Sequence, residues 1–221
     1  MRILEGVITT VADAAPFAPG GPVPAAALAL VNVAPMGPMV DDAMRRLILR
    51  PFTSSTTYRN LKATGRGVFH VIDDALLIAR GAVGTLRAVA PKATAAVEAG
   101  VAAVRAADVV RGVVLVGACR YYEFKVVSLD DSQERTRIEA EVVHTGRLRD
   151  FFGFNRAMHA VIEAAILATR LHLTGPAPVL AEMDRLAAPV EKTGGAGERQ
   201  AMAELRAFVL SHEPRQQPTV A

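Results

Sequence analysis

Apolar residues recur along the chain in two successive rhythms. From Ile3 to Val11 they form a run rich in β-branched residues, which predicts a pleated, half-buried strand. The following APFAPGGPVPA, with its prolines and paired Gly20-Gly21, predicts a loop. Leu28–Val33 and Arg46–Leu49 predict further strands, with a bend at APMGPMVDD between them. Tyr58–Ala63 reads as a helix stopped by Gly65, and Val68–Ile72 as a return to strand. Asp73-Asp74 stands where it would cap a short helix over Ala75–Arg80.

The Ala/Val-rich stretch TLRAVAPKATAAVEAGVAAVRAADVVRG, interrupted by Pro91 and Gly100, predicts short helices. Cys119–Ser128 and Arg135–His144 predict two long strands joined through LDDSQ as a hairpin. From Phe154 the rhythm becomes helical: Phe154, Met158, Val161, Ile162, Ala165 and Leu171 follow three- and four-residue spacing. Gly175 and Pro176 punctuate that helix, and Val179-Met183-Leu186 and Met202-Leu205-Val209 repeat the spacing on two more. Some six strands with short connections, mostly antiparallel, predict a small barrel in an α+β chain. The expected organisation is a β-rich body over 1–150, a helical region over 151–212 and a loose tail over 213–221.

Composition narrows the function classes. With 221 residues, 51% of them apolar, the chain is long enough to bury a sizeable core. The 25 Lys and Arg residues against 22 Asp and Glu leave a formal charge of +3, and the arginines are scattered without any Trp. That pattern argues against a nucleic-acid-binding surface. The longest apolar windows, Val109–Ala118 and Ala160–Ala168, contain Arg111 and Glu163 and are too short to span a bilayer. A charge at Glu5 breaks the first apolar run, so no secretory leader is read, and the single Cys119 excludes an internal disulfide. A cytoplasmic protein with no membrane partner is expected.

Candidate chemistry concentrates in RPFTSSTTYRNL, Arg50 to Leu61, where five successive hydroxyl residues lie between a strand end and a helix start. Orphan N–H groups, hydroxyls and the positive end of the helix dipole suit a phosphate there, and Arg50 adds a charge-assisted contact. One residue suffices to cap a helix, so capping by Ser55 or Thr56 with the others solvated remains an open alternative. In LVNVAPMGPM, Asn32 and Pro35 interrupt a strand-like run, which marks an edge, a bend or a wall for a planar ligand. Asn155, His159, Glu163 and Arg170 fall on one stripe of the first long helix, with Arg156 beside it, and read as a polar seam towards the barrel and a second subunit, the alternative being Arg156 or His159 facing a bound ligand. His70 reads as a hydrogen-bonded barrel residue and Cys119 as a packed thiol. The histidines are too dispersed for a metal motif, and no Gly-rich dinucleotide fingerprint follows a strand.

VNVAPMG, RPFTSSTTYRNL and GVFHVIDD together resemble the FMN-binding split barrel of the flavin-reductase-like superfamily. The hairpin CRYYEFKVVSLDD…RIEAEVVHTGR and the helix FFGFNRAMHAVIEAAILATRLHL narrow the resemblance, over residues 3 to 175, to the family catalogued as domain of unknown function 447. The resemblance implies a split β-barrel with a C-terminal helical subdomain, in a homodimer holding FMN near the subunit interface. It places Asn32, Ala34, Pro35 and Met36 against the flavin ring. Arg50, Pro51, Phe52, Ser54, Ser55, Thr56, Thr57 and Asn60 come at the phosphate and ribityl end. It also implies an oxidoreductase passing hydride through flavin N5 to a small molecule, with NAD(P)H as reductant, and assigns no catalytic side chain. A flavin carrier or sensor without turnover, and a cofactor-free structural dimer, remain open alternatives.

Overall fold

The computed structural model describes residues 1–91 and 100–212. The strands are β1 (Arg2–Ile3), β2 (Gly6–Val11), β3 (Val31–Met36), β4 (Met39–Val40), β5 (Arg46–Leu49), β6 (Arg66–Val71), β7 (Arg87–Val89), β8 (Val101–Ala106), β9 (Val113–Leu115), β10 (Arg120–Asp130) and β11 (Arg137–Arg147). The helices are α1 (Ala25–Leu28), α2 (Thr56–Thr64), α3 (Ala75–Ala82), α4 (Arg156–Ala168), α5 (Leu171–Thr174), α6 (Pro176–Thr193) and α7 (Ala196–Leu210). They form two compact units: Met1–Asp73 with Leu86–Phe152, and Asp74–Thr85 with the chain from Gly153. α3 thus belongs with the C-terminal helices, although it interrupts the stretch 1–150 assigned to the barrel. The tail 213–221 lies outside the described residues.

In the first unit eight strands pair antiparallel in the order β1-β4-β5-β11-β10-β6-β2-β3. The sheet curls round a core that includes Ile8, Leu47, Leu49, Leu61, Phe69, Phe124 and Ile138. Its two ends, β1 and β3, do not pair with each other, so the barrel is split, as expected. The long hairpin of β10 and β11 forms as predicted and carries register shifts at Glu123/Phe124 and Val126/Ser128, which increase local bend and twist. Gly146 on β11 faces Tyr121, where a Cβ would lie 2.1 Å from the ring.

Three expectations are corrected. The strand predicted over Leu28–Val33 begins only at Val31, because Pro24 opens the turn of α1 by accepting from the N–H groups of Ala27 and Leu28. The strand predicted over Ile3–Val11 is two strands, with Leu4 bonded through its N–H to Pro38 O at the break. In the Ala/Val-rich stretch, the described residues form β7 and β8, which join β9 just beyond it in a three-stranded sheet, rather than short helices. Val101–Ala106 buries alternate residues, and pairing on both sides overrides the helix propensity of its alanines. Residues 92–99 of that stretch lie outside the described residues.

Two buried polar side chains fix loops to the barrel. The His70 ring on β6 accepts from Leu115 N–H at Nε2 (3.1 Å) and faces Val7 O through Nδ1 (3.1 Å). The first bond requires an unprotonated Nε2, so the proton is on Nδ1 and the ring is neutral. Glu123 is fully buried, and its carboxylate accepts from the N–H groups of Asp108, Val109 and Val110 at 2.7 to 2.8 Å.

In the second unit, Asn155 caps α4 by accepting from Ala157 and Met158 N–H. Arg80 on α3 forms a bidentate pair with Glu204 on α7 (2.9 and 2.7 Å), beside cores at Val161, Met183 and Leu205. Among the described residues, no helix is long and apolar enough to cross a membrane.

Burial, opposed in part by the bond to Val7 O, pushes the His70 pKa from 6.5 down to about 3. A lowered histidine pKa favours the neutral form in the folded state, so its stabilisation is complete above about pH 6.5 and declines as the pH falls towards 3. Between pH 7 and pH 5, urea unfolding of the wild type should lose about 2 kcal/mol more than that of His70→Gln.

Candidate functional site

The first turn of α2 is built by Ser55. Its Oγ accepts from Tyr58 N–H (3.1 Å) and donates to Phe52 O (2.8 Å), so this hydroxyl is committed to the helix cap. At the other end Gly65, at φ +63, closes the helix with its N–H on Leu61 O. The cap leaves the N–H groups of Thr56 and Thr57 without intrahelical acceptors, at the positive end of the helix dipole.

Three guanidinium groups belong to this turn. Arg59 donates to Ser54 O (2.7 Å) and Thr56 Oγ1 (2.9 Å), which holds its charge against the helix start. Arg135 lies over the Phe52 ring at 5.4 Å and donates to Arg50 O (3.3 Å). The Arg50 side chain is exposed and makes no hydrogen bond or ion pair among the described residues. The turn itself is anchored to the sheet by Pro51 O, which accepts from Thr136 Oγ1 (2.8 Å) and N–H (3.0 Å), and by Thr53 N–H on Glu134 O.

The other half of the site is a cluster of amides and hydroxyls. Asn32 Nδ2 donates to Thr57 Oγ1 (3.0 Å) and Thr10 Oγ1 (3.4 Å), and Asn60 Nδ2 donates to the same Thr10 oxygen (3.0 Å). Asn32 and Asn60 from the sequence assignment therefore meet at one buried hydroxyl, and Thr57 joins them through Asn32. Ala34, Pro35 and Met36 continue along β3 opposite Ile8, Val7 and Gly6, all half-buried on the edge strand. Phe52 and Ser54 are exposed, and Thr56 is engaged with Arg59.

Sequence reasoning missed Thr10, Arg59 and Arg135. Thr10 had one available signal, a pair of adjacent hydroxyls, Thr9 and Thr10, inside an apolar strand. Arg59 lies inside the quoted motif, whereas Arg135 comes from a distant part of the sequence and is brought to the turn by the isolated bridge to Phe52. Elsewhere, Asp108, Glu123 and His144 place ligand atoms within 4.8 Å of one another. Arg105 and Tyr121 hold the Asp108 oxygens, and backbone N–H groups hold Glu123, so this cluster acts as a loop clamp. Arg156, His159 and Glu163 on α4 and Arg170 beyond it, at the start of α5, are exposed, while Asn155 serves as the α4 cap.

Two family models match the sequence: protein of unknown function (DUF447) N-terminal domain over residues 26–149, and protein of unknown function (DUF447) over residues 155–207. No curated protein is significantly similar to the chain. Among solved structures, an FMN-bound DUF447 protein from Methanosarcina mazei aligns with a TM-score of 0.67 at 20% identity, covering 93% of this chain and 94% of that one. The flavin reductase of styrene monooxygenase from Pseudomonas putida aligns at 0.44 and 13% identity, over 66% and 83%. The 2-nitrobenzoate 2-nitroreductase of Pseudomonas fluorescens aligns at 0.45 and 14%, over 66% and 64%.

Thr10→Val removes the acceptor of two amide donors, one of them on the nearly buried Asn60. A loss of about 1–3 kcal/mol is expected in urea unfolding, with Thr10→Ser retaining most of the stability.

Proposed function

The chain belongs to the DUF447 family, and from that premise we propose that it binds FMN and serves as an oxidoreductase of the flavin-reductase-like type. The observation that carries this reading is the donor set at the start of α2. Two N–H groups without intrahelical acceptors face the same turn as Arg50, Arg59 and Arg135, and such a set fits a phosphate. Asn32, with Ala34, Pro35 and Met36 along β3, would hold the ring edge, and Thr57 and Asn60 would hold the ribityl chain. The bound FMN supplies the hydride and electron exchange that protein side chains lack.

The protein's own part is to bind and orient. Ser55 keeps the helix start open to the anion by closing the cap behind it, and Arg59 supplies fixed positive charge. Asn32 is held by Thr57 and Thr10 through its NH₂ group, which leaves its carbonyl oxygen as the acceptor for a ring N–H. A homodimer, with NAD(P)H as the transient reductant and a small molecule as electron acceptor, completes the proposal.

The purified protein should be yellow and release FMN on denaturation, and anaerobic NADH or NADPH should bleach it at catalytic rates. Colour without bleaching would instead identify a flavin carrier or sensor, and a colourless protein that FMN does not stain would overturn the reading. Arg50→Ala should weaken FMN binding at least about tenfold in fluorescence titration, from loss of one charge-assisted contact. Sedimentation velocity should show a dimer.

A further inference from the structure

A cavity of about 530 Å³ opens beside the first residues of β10 and the last of β11. Asp42 and Met44 from the β4–β5 turn, Arg120 and Tyr122 on β10, and Thr145 and Arg147 on β11 line it. We propose that this cavity is a second small-molecule site, separate from the turn at α2, and that it takes an aromatic monocarboxylate.

Tyr122 is the first observation. Only 9% of it is exposed, its ring packs in the barrel core beside Phe69, and its hydroxyl has no hydrogen-bond partner among the described residues. No sealed side-chain polar atom among those residues lacks a partner, so the Tyr122 oxygen is accessible, and Tyr122 is one of the residues lining the cavity. A nearly buried phenol that presents its hydroxyl to a cavity is a donor awaiting an acceptor.

The charges around the cavity give the ligand its sign. Asp42 is paired with Arg2 and Arg147 with Asp150, so these two lining residues are already compensated. Arg120 forms no ion pair among the described residues and is the one uncompensated cation of the lining. A single planar guanidinium, with the hydroxyls of Tyr122 and Thr145, suits the two oxygens of one carboxylate better than a doubly charged phosphate. The Met44 thioether and the Tyr122 ring supply apolar walls that favour an aromatic body. The volume lies within the range of small-ligand sites.

The rim at Met44 is held in place before any ligand arrives. Asp41 Oδ1 accepts from Arg45 N–H (2.7 Å) and Arg46 N–H (3.1 Å), and Met44 N–H donates to Asp41 O. Met44 itself sits at φ +53, a left-handed conformation that this turn imposes on a residue with a side chain. The register places the site away from the amide cluster. Arg120 pairs with Val71, whereas Phe124 pairs with Gly67, next to Val68, which pairs with Thr9. The two rows are four residues apart along β10, about 13 Å.

The test is calorimetric titration of the whole protein with 2-naphthoate, and with 2-naphthamide as the uncharged isostere. Saturable binding of one equivalent of the acid is expected, at least about tenfold tighter than the amide. Arg120→Gln should abolish that preference while leaving flavin content unchanged, and Tyr122→Phe should weaken the acid severalfold. Arg50→Ala should leave naphthoate binding as in the wild type. Equal affinity for acid and amide, a preference that survives Arg120→Gln, or no saturation up to about 10 mM would overturn the proposal. So would parallel loss in Arg50→Ala, because naphthoate would then be occupying the turn at α2.

Discussion

Thr10 lies fully buried on β2, and its hydroxyl oxygen takes hydrogen bonds from the amides of Asn32 on β3 and Asn60 on α2. Three elements distant in sequence are therefore held at one atom. The position of α2 relative to the edge strand follows from this tie, and with it the direction in which the first turn of the helix points its N–H groups. Binding of an anion by the charged residues of the turn would depend on that direction, since such attraction falls quickly with distance and with water between the groups. Burial strengthens the constraint: an amide that lost Thr10 inside the barrel would find no water to replace it.

The same logic governs the other buried polar groups of the barrel. Glu123 gathers three consecutive N–H groups from the loop before β9, and His70 joins β2, β6 and β9 through its two ring nitrogens. Each replaces contacts that a purely apolar core would leave unspecific about loop position. The tight fit of Gly146 against Tyr121 adds a steric counterpart, because the ring occupies the volume of any side chain there. Tyr121 in turn donates to Asp108, in the same loop that Glu123 holds.

Elements with local signals were legible in the sequence. α2 begins at a hydroxyl run and ends at Gly65, and the β10–β11 hairpin shows itself by two β-rich runs around a polar turn. The strands β7 and β8 were not legible, because alanine-rich residues favour helix when considered alone and become strands only by pairing with partners the sequence does not reveal. At the candidate site, the motif from Arg50 to Asn60 marked a turn at a helix start but did not say which hydroxyl the cap occupies. Ser55 differs from its neighbours only in its reach to Tyr58 N–H and Phe52 O. Arg135 was hidden for a simpler reason: it is 85 residues from Arg50, and only the folded sheet brings the two together.

An unclosed sheet has a rim onto which strands from other molecules can add, the first step toward fibrous aggregates. One such rim is β3, and Pro35 lies in its middle while the register with β2 continues on both sides. Proline is tolerated in a strand where its nitrogen faces away from the neighbour, so the outer row of donors is broken at this position. Pro35 thus denies an incoming chain a continuous template and guards the protein against polymerising through its own opening.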